Sequence, residues 1–197
     1  MSASNGSAVS ARAILAMSMV AVAISGCSVK SFDSGRPTAA PAERVTAVHA
    51  VFAEAPDSKI ERVASATDLI SLAASASIKR KVETRATEDH ALFVKTFTQD
   101  FKDKLPQDAS KYGLTVSDSA PTEFRVVLGD QKTTCSLYGC VSSFDLRGDL
   151  LDASGKSIWH VTTTIGQSNI TANIPDLFET FATEVLTAMK KDGVIGS

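Results

Sequence analysis

Apolar and polar residues alternate in the second half of the chain as they do in β-strands. The segments 123–132, 144–151 and 157–166 place apolar residues mainly at every second position, which turns one face of each strand towards a core. A turn at 152–156, which contains Gly155, separates the last two segments. Such short connections predict that the three strands form an antiparallel meander.

A second pattern, with helical spacing, predicts two amphipathic helices. Thr87 is the expected N-cap of a helix over 87–112, in which three phenylalanines four residues apart form a stripe that should pack against the sheet: Phe93, Phe97 and Phe101. The closing helix should begin at Pro175 and end before Gly193.

Two shorter segments complete the predicted sheet. The valine-rich segment 44–53 is expected to be the first strand, and 114–118 begins another. The segment 58–84 is compatible with helix or strand, and its Lys-Arg-Lys triplet at 79–81 could contact anionic lipid, an acidic partner or only solvent. Together the elements predict one α+β two-layer domain, with a mainly antiparallel sheet packed against two amphipathic helices.

The N-terminal region carries an uncharged apolar run at 13–24, preceded by Arg12. A run of about a dozen residues is shorter than the about 20 that a bilayer span requires, and it suits a secretory signal. It ends in Ile24-Ser25-Gly26-Cys27, which resembles the lipobox of bacterial lipoproteins. The resemblance implies a lipid on the Cys27 sulfur, cleavage before Cys27 and acylation of the new amino terminus.

The lipobox divides the chain into three parts. Residues 1–26 are the predicted signal peptide, 27–43 the lipidated N-terminus and a flexible Pro- and Ser-containing tether, and 44–197 the periplasmic domain. In the lipoprotein family, an aspartate after the cysteine often implies retention in the inner membrane. Ser28 stands there in this chain, so the resemblance implies anchoring in the outer membrane, facing the periplasm.

Two further cysteines, Cys135 and Cys140, agree with an oxidising compartment, where such a pair is expected to form a disulfide. Closing so short a loop should stabilise the fold by about 2 kcal/mol. The alternative is a CxxxxC metal site, but histidine or cysteine residues that could complete a set of four zinc ligands are not nearby.

The candidate catalytic and binding motifs are incomplete, and the sequence predicts no catalytic residue, cofactor site or metal site. Gly155-Lys156-Ser157 resembles the end of a phosphate-binding loop, but Leu150 stands where the motif needs its first glycine. An enzyme or a ligand-binding protein would need a pocket where two or more of five residues converge: His49, His90, His160, Asp145 and Asp149.

Residues 90–190, with the turn sequence LLDASGKSIW, are similar in pattern to small accessory lipoproteins of the bacterial envelope, which implies a role without catalysis. The net charge of −2 makes nucleic acid an unfavourable partner. The sequence therefore predicts a non-enzymatic, lipid-anchored protein that binds the membrane through Cys27 and an envelope protein partner. The alternatives are a subunit of a secretion or efflux assembly and a small periplasmic ligand-binding protein or hydrolase.

Overall fold

A mixed β-sheet with helices on one face forms the described part of the chain. The structure is a computed structural model that describes residues 27–37, 44–64, 72–136, 138–167 and 173–196. Its elements, in chain order, are β1 (Cys27–Gly35), β2 (Ala47–Glu54), β3 (Ile60–Ala64), α1 (Leu72–Asp103), α2 (Leu105–Ser110), β4 (Thr115–Val116), β5 (Glu123–Cys135), β6 (Cys140–Leu151), β7 (Ser157–Gln167), a 3-10 turn (Ile174–Asp176) and α3 (Leu177–Lys191). The predicted α+β class is confirmed.

The strand order is β1-β7-β6-β5-β2-β4, and β3 also pairs with β5. The meander of β5, β6 and β7 is antiparallel, as predicted, and β1 joins it antiparallel to β7. In contrast, β2 and β3 both run parallel to β5, and β4 runs parallel to β2. The sheet is mixed because the chain reaches β5 from β3 through α1, a helical crossover that permits parallel pairing.

Strand β5 changes its parallel partner at an irregularity between Leu128 and Gln131. Its first part pairs with β2 and its second part with β3. The Lys59 amide donates a hydrogen bond of 2.8 Å to Asp130 Oδ1 at the point of change. The side chains that face the helices are apolar before the irregularity and polar after it, with Gln131 and Thr133 both buried.

Helix α1 begins at Leu72, so the prediction that Thr87 caps its start is wrong. The Thr87 hydroxyl instead donates to the Glu83 carbonyl at 3.2 Å, a bond made within the helix. Residues 72–84 are helical, and residues 65–71 lie outside the described part. The buried stripe of α1 starts before the phenylalanines and comprises Ile78, Val82, Ala86, Asp89, Phe93, Phe97 and Phe101.

The phenylalanine stripe packs against the sheet, as the spacing predicted, and it also packs against α3. The Phe93 ring stacks on Phe144 of β6 with the ring centroids 4.0 Å apart. The Phe97 ring meets the edges of Phe178 and Phe181 of α3, each at 5.3 Å. These contacts place the main core between one face of the sheet and the helices α1 and α3.

Residues 27–35 were expected to belong to a flexible tether, but they form β1 at the edge of the sheet. Cys27 pairs with Gln167 and Gly35 with His160, along nearly the whole of β7. Val29 and Phe32 pack against the main core, and the burial of their apolar side chains stabilises the strand on the sheet. Residues 38–43 of the predicted tether, the signal peptide 1–26 and the first three lipobox residues lie outside the described part.

The far end of β1 is fastened to the end of α3. Asp192 Oδ2 accepts hydrogen bonds from Trp159 Nε1 at 2.8 Å and from Ser34 Oγ at 3.1 Å. Arg36 Nη2 donates to the Gly193 carbonyl at 2.6 Å. Gly193 adopts a φ of 66°, as expected for a glycine that ends a helix. Within the described residues, no helix combines the length and apolarity needed to cross a bilayer.

Candidate functional site

Three parts of the fold meet at one end of the sheet, which we call the disulfide end. Cys135 and Cys140 close the hairpin between β5 and β6, with the sulfur atoms 1.98 Å apart, as predicted. Ile78 and Val82 from the first turns of α1 pack on this pair. Ala64, the last residue of β3, pairs with Cys135. The strands extend to the cysteines themselves, since β5 ends at Cys135 and β6 begins at Cys140.

Cys27 belongs to the same end. Its backbone pairs with Gln167, and the Gln167 side chain accepts a 3.1 Å hydrogen bond from the Ser142 amide near the hairpin. The strand rise of about 3.3 Å per residue puts the hairpin tip about 10 Å beyond the level of Cys27. At that tip the Ser136 amide donates to the Gly139 carbonyl at 2.8 Å, and Tyr138 is 82% exposed.

The basic triplet of the sequence lies on the first turns of α1, beside the disulfide end. Lys79, Arg80 and Lys81 are all exposed, whereas Ile78 and Val82 on either side are buried. The segment 72–82 contains no acidic residue. A hollow of about 460 Å³ follows the same side of the helix and is lined by Ser77, Arg80, Lys81, Thr84, Arg85 and Glu88.

A buried carboxylate joins α1 to the sheet just inside the disulfide end. Asp89 is 1% exposed and accepts a 2.6 Å hydrogen bond from Ser142 Oγ. Its other oxygen lies 2.7 Å from Nε of Arg85, one turn earlier. The Ser142 and Thr133 hydroxyls lie 2.8 Å apart, in hydrogen-bond contact across β5 and β6. The helix is thus fixed to the sheet by polar contacts between the phenylalanine stripe and the apolar contacts of Ile78 and Val82.

The network continues towards β2 through Gln131 and His90. Gln131 Nε2 donates to the Ala86 carbonyl at 2.9 Å and to Thr133 Oγ1 at 3.0 Å. Its amide oxygen lies 3.0 Å from His90 Nδ1, and the other ring nitrogen lies 3.2 Å from a carboxylate oxygen of Glu54. His90 therefore links helix and sheet.

The environment of Asp89 changes its acidity. Burial raises the pKa of this carboxyl above the ordinary value of 3.8, and the charge of Glu88 acts in the same direction. The hydrogen bond from Ser142 and the positive charge of Arg85 oppose this rise without cancelling it. Desolvation thus has the largest effect on the pKa of Asp89.

The opposite face of the sheet is open among the described residues, and it carries paired charges. Arg147 Nε lies 2.8 Å from Asp149 Oδ2 on β6, and Arg125 Nε lies 2.6 Å from Glu123 Oε1 on β5. The Arg147 side chain is 68% exposed, and Thr162 beside it on β7 is exposed as well.

The structure brings together only two of the five residues that a pocket would have required. Asp149 and His160 are cross-strand neighbours on the open face. Asp145 accepts a 2.6 Å hydrogen bond from Thr164, His49 lies against the Asp118 carbonyl, and His90 is on the helix side of the sheet. In the described ranges, no group of three or more His, Cys, Asp or Glu residues is placed to hold a metal ion.

Asp145 and His49 line two separate hollows. Asp145 lines one of about 420 Å³ on the open face, together with Lys59 and Lys132. His49 lines another of about 560 Å³, beside Lys102 and Asp118. Neither lining contains a second member of the five residues, so the convergence that the enzyme alternative requires is absent from both.

Sequence reasoning missed the buried polar network. Asp89 stands four residues before Phe93, and this spacing puts it on the buried stripe of the helix. That position was the available signal for a carboxylate facing the sheet. The partners Ser142 and Thr133 are far from Asp89 in the sequence, and only the fold brings the three together.

Among known proteins, the chain matches solved structures only. The chain is similar to the PelC dodecamer from Paraburkholderia phytofirmans, at 10% identity and a TM-score of 0.37, with 84% of this chain and 99% of that chain covered. A variant of the same dodecamer gives 11% identity and a TM-score of 0.37, with 85% and 99% covered. No family model and no curated protein matches the chain.

Proposed function

We propose that this chain is a lipid-anchored lipoprotein of the bacterial cell envelope, attached through Cys27 to the outer membrane and facing the periplasm. It acts there without catalysis, as a protein-binding component of an envelope complex. The carrying observation is the position of Cys27, the last lipobox residue, which lies in β1 and pairs with Gln167.

That position supports the anchor for a structural reason. Cleavage before Cys27 would leave the pairing of Cys27–Gly35 with β7 in place. The folded domain would then follow the lipidated residue directly, without a long flexible linker. The bonded pair Cys135 and Cys140 also suits an exported protein, since disulfides persist in oxidising compartments.

The open face of the sheet supports the protein-binding part of the proposal. Its exposed charges of both signs, including Arg125 and Arg147 with their carboxylate partners, are suited to complementary pairing with a polar protein surface. His90 and Asp149 also already have structural partners, in Gln131 and Arg147 respectively. Both side chains are thus held in place within the fold.

The anchor is tested by labelled palmitate. Wild-type chain expressed in a bacterium should incorporate the label, and the Cys27→Ser variant should not. The matched control is Ser28→Ala, which leaves the cysteine in place and should label normally. An unlabelled wild-type chain, or a labelled Cys27→Ser variant, would show that the anchor proposal is wrong.

The binding face is tested by photo-crosslinking in cells. A photoreactive residue at Thr162, on the open face, should capture a defined protein, whereas one at the exposed Lys95 of α1 should not. Arg147→Glu should abolish the crosslink at Thr162 by reversing a charge of the face. If the two positions capture the same set of proteins, or if Arg147→Glu changes nothing, the open face is not the binding surface.

A further inference from the structure

We propose that the disulfide end of the domain docks on an anionic lipid surface, with the Tyr138 hairpin and the basic first turns of α1 in contact with the headgroups. This inference rests on the proposed lipid anchor at Cys27 and adds an orientation to it. The strands would then stand upright on the membrane, and the open face of the sheet would remain accessible from the side.

The first step of the argument is position. The backbone of Cys27 lies at the level of Gln167, so a lipid on Cys27 would hold this end, and not the turn 152–156 at the other end, next to the bilayer. The hairpin tip extends about 10 Å farther in the strand direction. A short anchor and a protruding tip place Tyr138 at the depth of the headgroups.

The second step is the chemistry of the tip. Tyr138 is 82% exposed, so most of its aromatic side chain is not buried against the protein. Tyrosine has an apolar ring and a polar hydroxyl, and it is enriched where membrane and water meet. The disulfide beneath it joins the two strands at the base of the four-residue tip, which keeps the tip in one place.

The third step is charge. Lys79, Arg80 and Lys81 are exposed on the helix turns that pack on the disulfide, and Glu83 is the first acidic residue of α1. A basic residue close to an anionic bilayer strengthens binding by about fivefold. A membrane therefore matches the charge of this end, its exposed tyrosine and its position beside Cys27, whereas an acidic protein would leave that position unexplained.

The test uses the full chain, expressed with its own N-terminus and reconstituted in vesicles that contain brominated lipid. Trp159 is the single native tryptophan and is buried, so an added tryptophan reports its own surroundings. Tyr138→Trp places the reporter on the hairpin, and Ala153→Trp places it at the opposite end as the matched control. With phosphatidylethanolamine and phosphatidylglycerol, the first variant should be quenched and the second should keep its emission.

Charge is tested in the Tyr138→Trp background. Replacing Lys79, Arg80 and Lys81 by glutamine should lower the ratio of docked to undocked protein about a hundredfold. The control is the same number of basic residues replaced by glutamine away from the disulfide end: Lys102, Lys156 and Lys191. That control should dock like its parent, and vesicles of phosphatidylcholine alone should quench the Tyr138→Trp parent much less.

Several outcomes would overturn the inference. They are equal quenching of Tyr138→Trp and Ala153→Trp, no quenching of Tyr138→Trp, and equal quenching in neutral vesicles. A photoreactive residue at the exposed Thr84 that captures a defined protein in cells, and loses it in the triple glutamine background while quenching is unchanged, would assign this surface to an acidic protein instead.

Palmitate labelling judges the anchor independently of the docked orientation. A labelled chain without quenching would reject docking and leave the anchor. An unlabelled chain whose Tyr138→Trp variant is quenched would reject the anchor and leave docking.

Discussion

Asp89 of α1 accepts a 2.6 Å hydrogen bond from the Ser142 hydroxyl of β6 while only 1% of the residue is exposed. The two residues are 53 positions apart in the chain. Their contact holds the first half of α1 on the sheet where the apolar contacts of the phenylalanine stripe no longer reach. The stability of this region should therefore depend on the protonation state of one carboxyl group.

The first prediction concerns pH. Because the pKa of Asp89 is raised above 3.8 in the folded chain, the folded state holds this proton more tightly than the unfolded state. The corresponding stabilisation is fully present below the unfolded pKa and is lost as the pH rises through the folded pKa. Asp89→Asn removes this contribution. As the pH increases from about 4, the free energy of unfolding of wild type should therefore fall relative to that of the variant.

Urea unfolding of wild type and Asp89→Asn across this pH range measures the effect. Glu83→Gln is the matched control, because it removes another exposed carboxylate of the same helix. If wild type and Asp89→Asn keep a constant difference in unfolding free energy over the whole range, Asp89 does not titrate in this way.

The second prediction separates an edge strand from a tether. Phe32 of β1 packs partly buried against the main core, so Phe32→Ala should lower the free energy of unfolding by about 1 to 2 kcal/mol. Lys30→Ala, at an exposed position of the same strand, is the control and should have little effect. Equal unfolding midpoints for Phe32→Ala and wild type would mean that β1 does not contribute to the fold.

The third prediction concerns a close approach between strands. A Cβ at Gly166 of β7 would lie 2.9 Å from the Ser142 carbonyl oxygen of β6, and a backbone atom yields less readily than a flexible side chain. Gly166→Ala should therefore destabilise the fold by about 1 to 3 kcal/mol. In Gly129→Ala, the nearest contact would be 3.5 Å, which is ordinary packing. Thermal unfolding of both variants tests this explanation. A lower melting temperature for Gly129→Ala than for Gly166→Ala would contradict it.

The fourth prediction concerns the bonded cysteines. Replacing Cys135 and Cys140 together by alanine should lower the free energy of unfolding by about 2 kcal/mol through the loss of a closed loop. Reductant should destabilise wild type and leave the double variant unchanged. Mass analysis after alkylation of the folded wild-type chain should find neither cysteine modified, and modification of both would show that the bond is not formed in solution.

Local patterns in the sequence predicted the elements whose contacts repeat at short range. The Phe93, Phe97 and Phe101 spacing identified the buried stripe, and alternation identified β5, β6 and β7. The start of α1 was missed because the exposed residues 79–81 and Arg85 obscure the stripe that runs through Ile78 and Val82. Strand β1 was missed because its serine, glycine and lysine residues resemble a linker, and only pairing with β7 orders them.

Long-range relationships needed the fold itself. Parallel pairing of β2 and β3 with β5 depends on the helical crossover, which alternation along a single strand does not reveal. The same holds for the candidate site, since Cys27, Tyr138 and the basic triplet are distant in the sequence and meet only at the disulfide end. The chemistry of each was visible in the sequence, but their proximity was not.

The attachment of β1 to β7 has a mechanical consequence. A lipid on Cys27 would transmit any pull from the bilayer to the first pair of this ladder, Cys27 with Gln167. A load directed along the strand would shear the ladder and share the force among its hydrogen bonds, whereas a sideways load would unzip them one pair at a time. If the domain is anchored and upright as proposed, it would bear membrane tension in its stronger direction, and tilting would weaken its attachment.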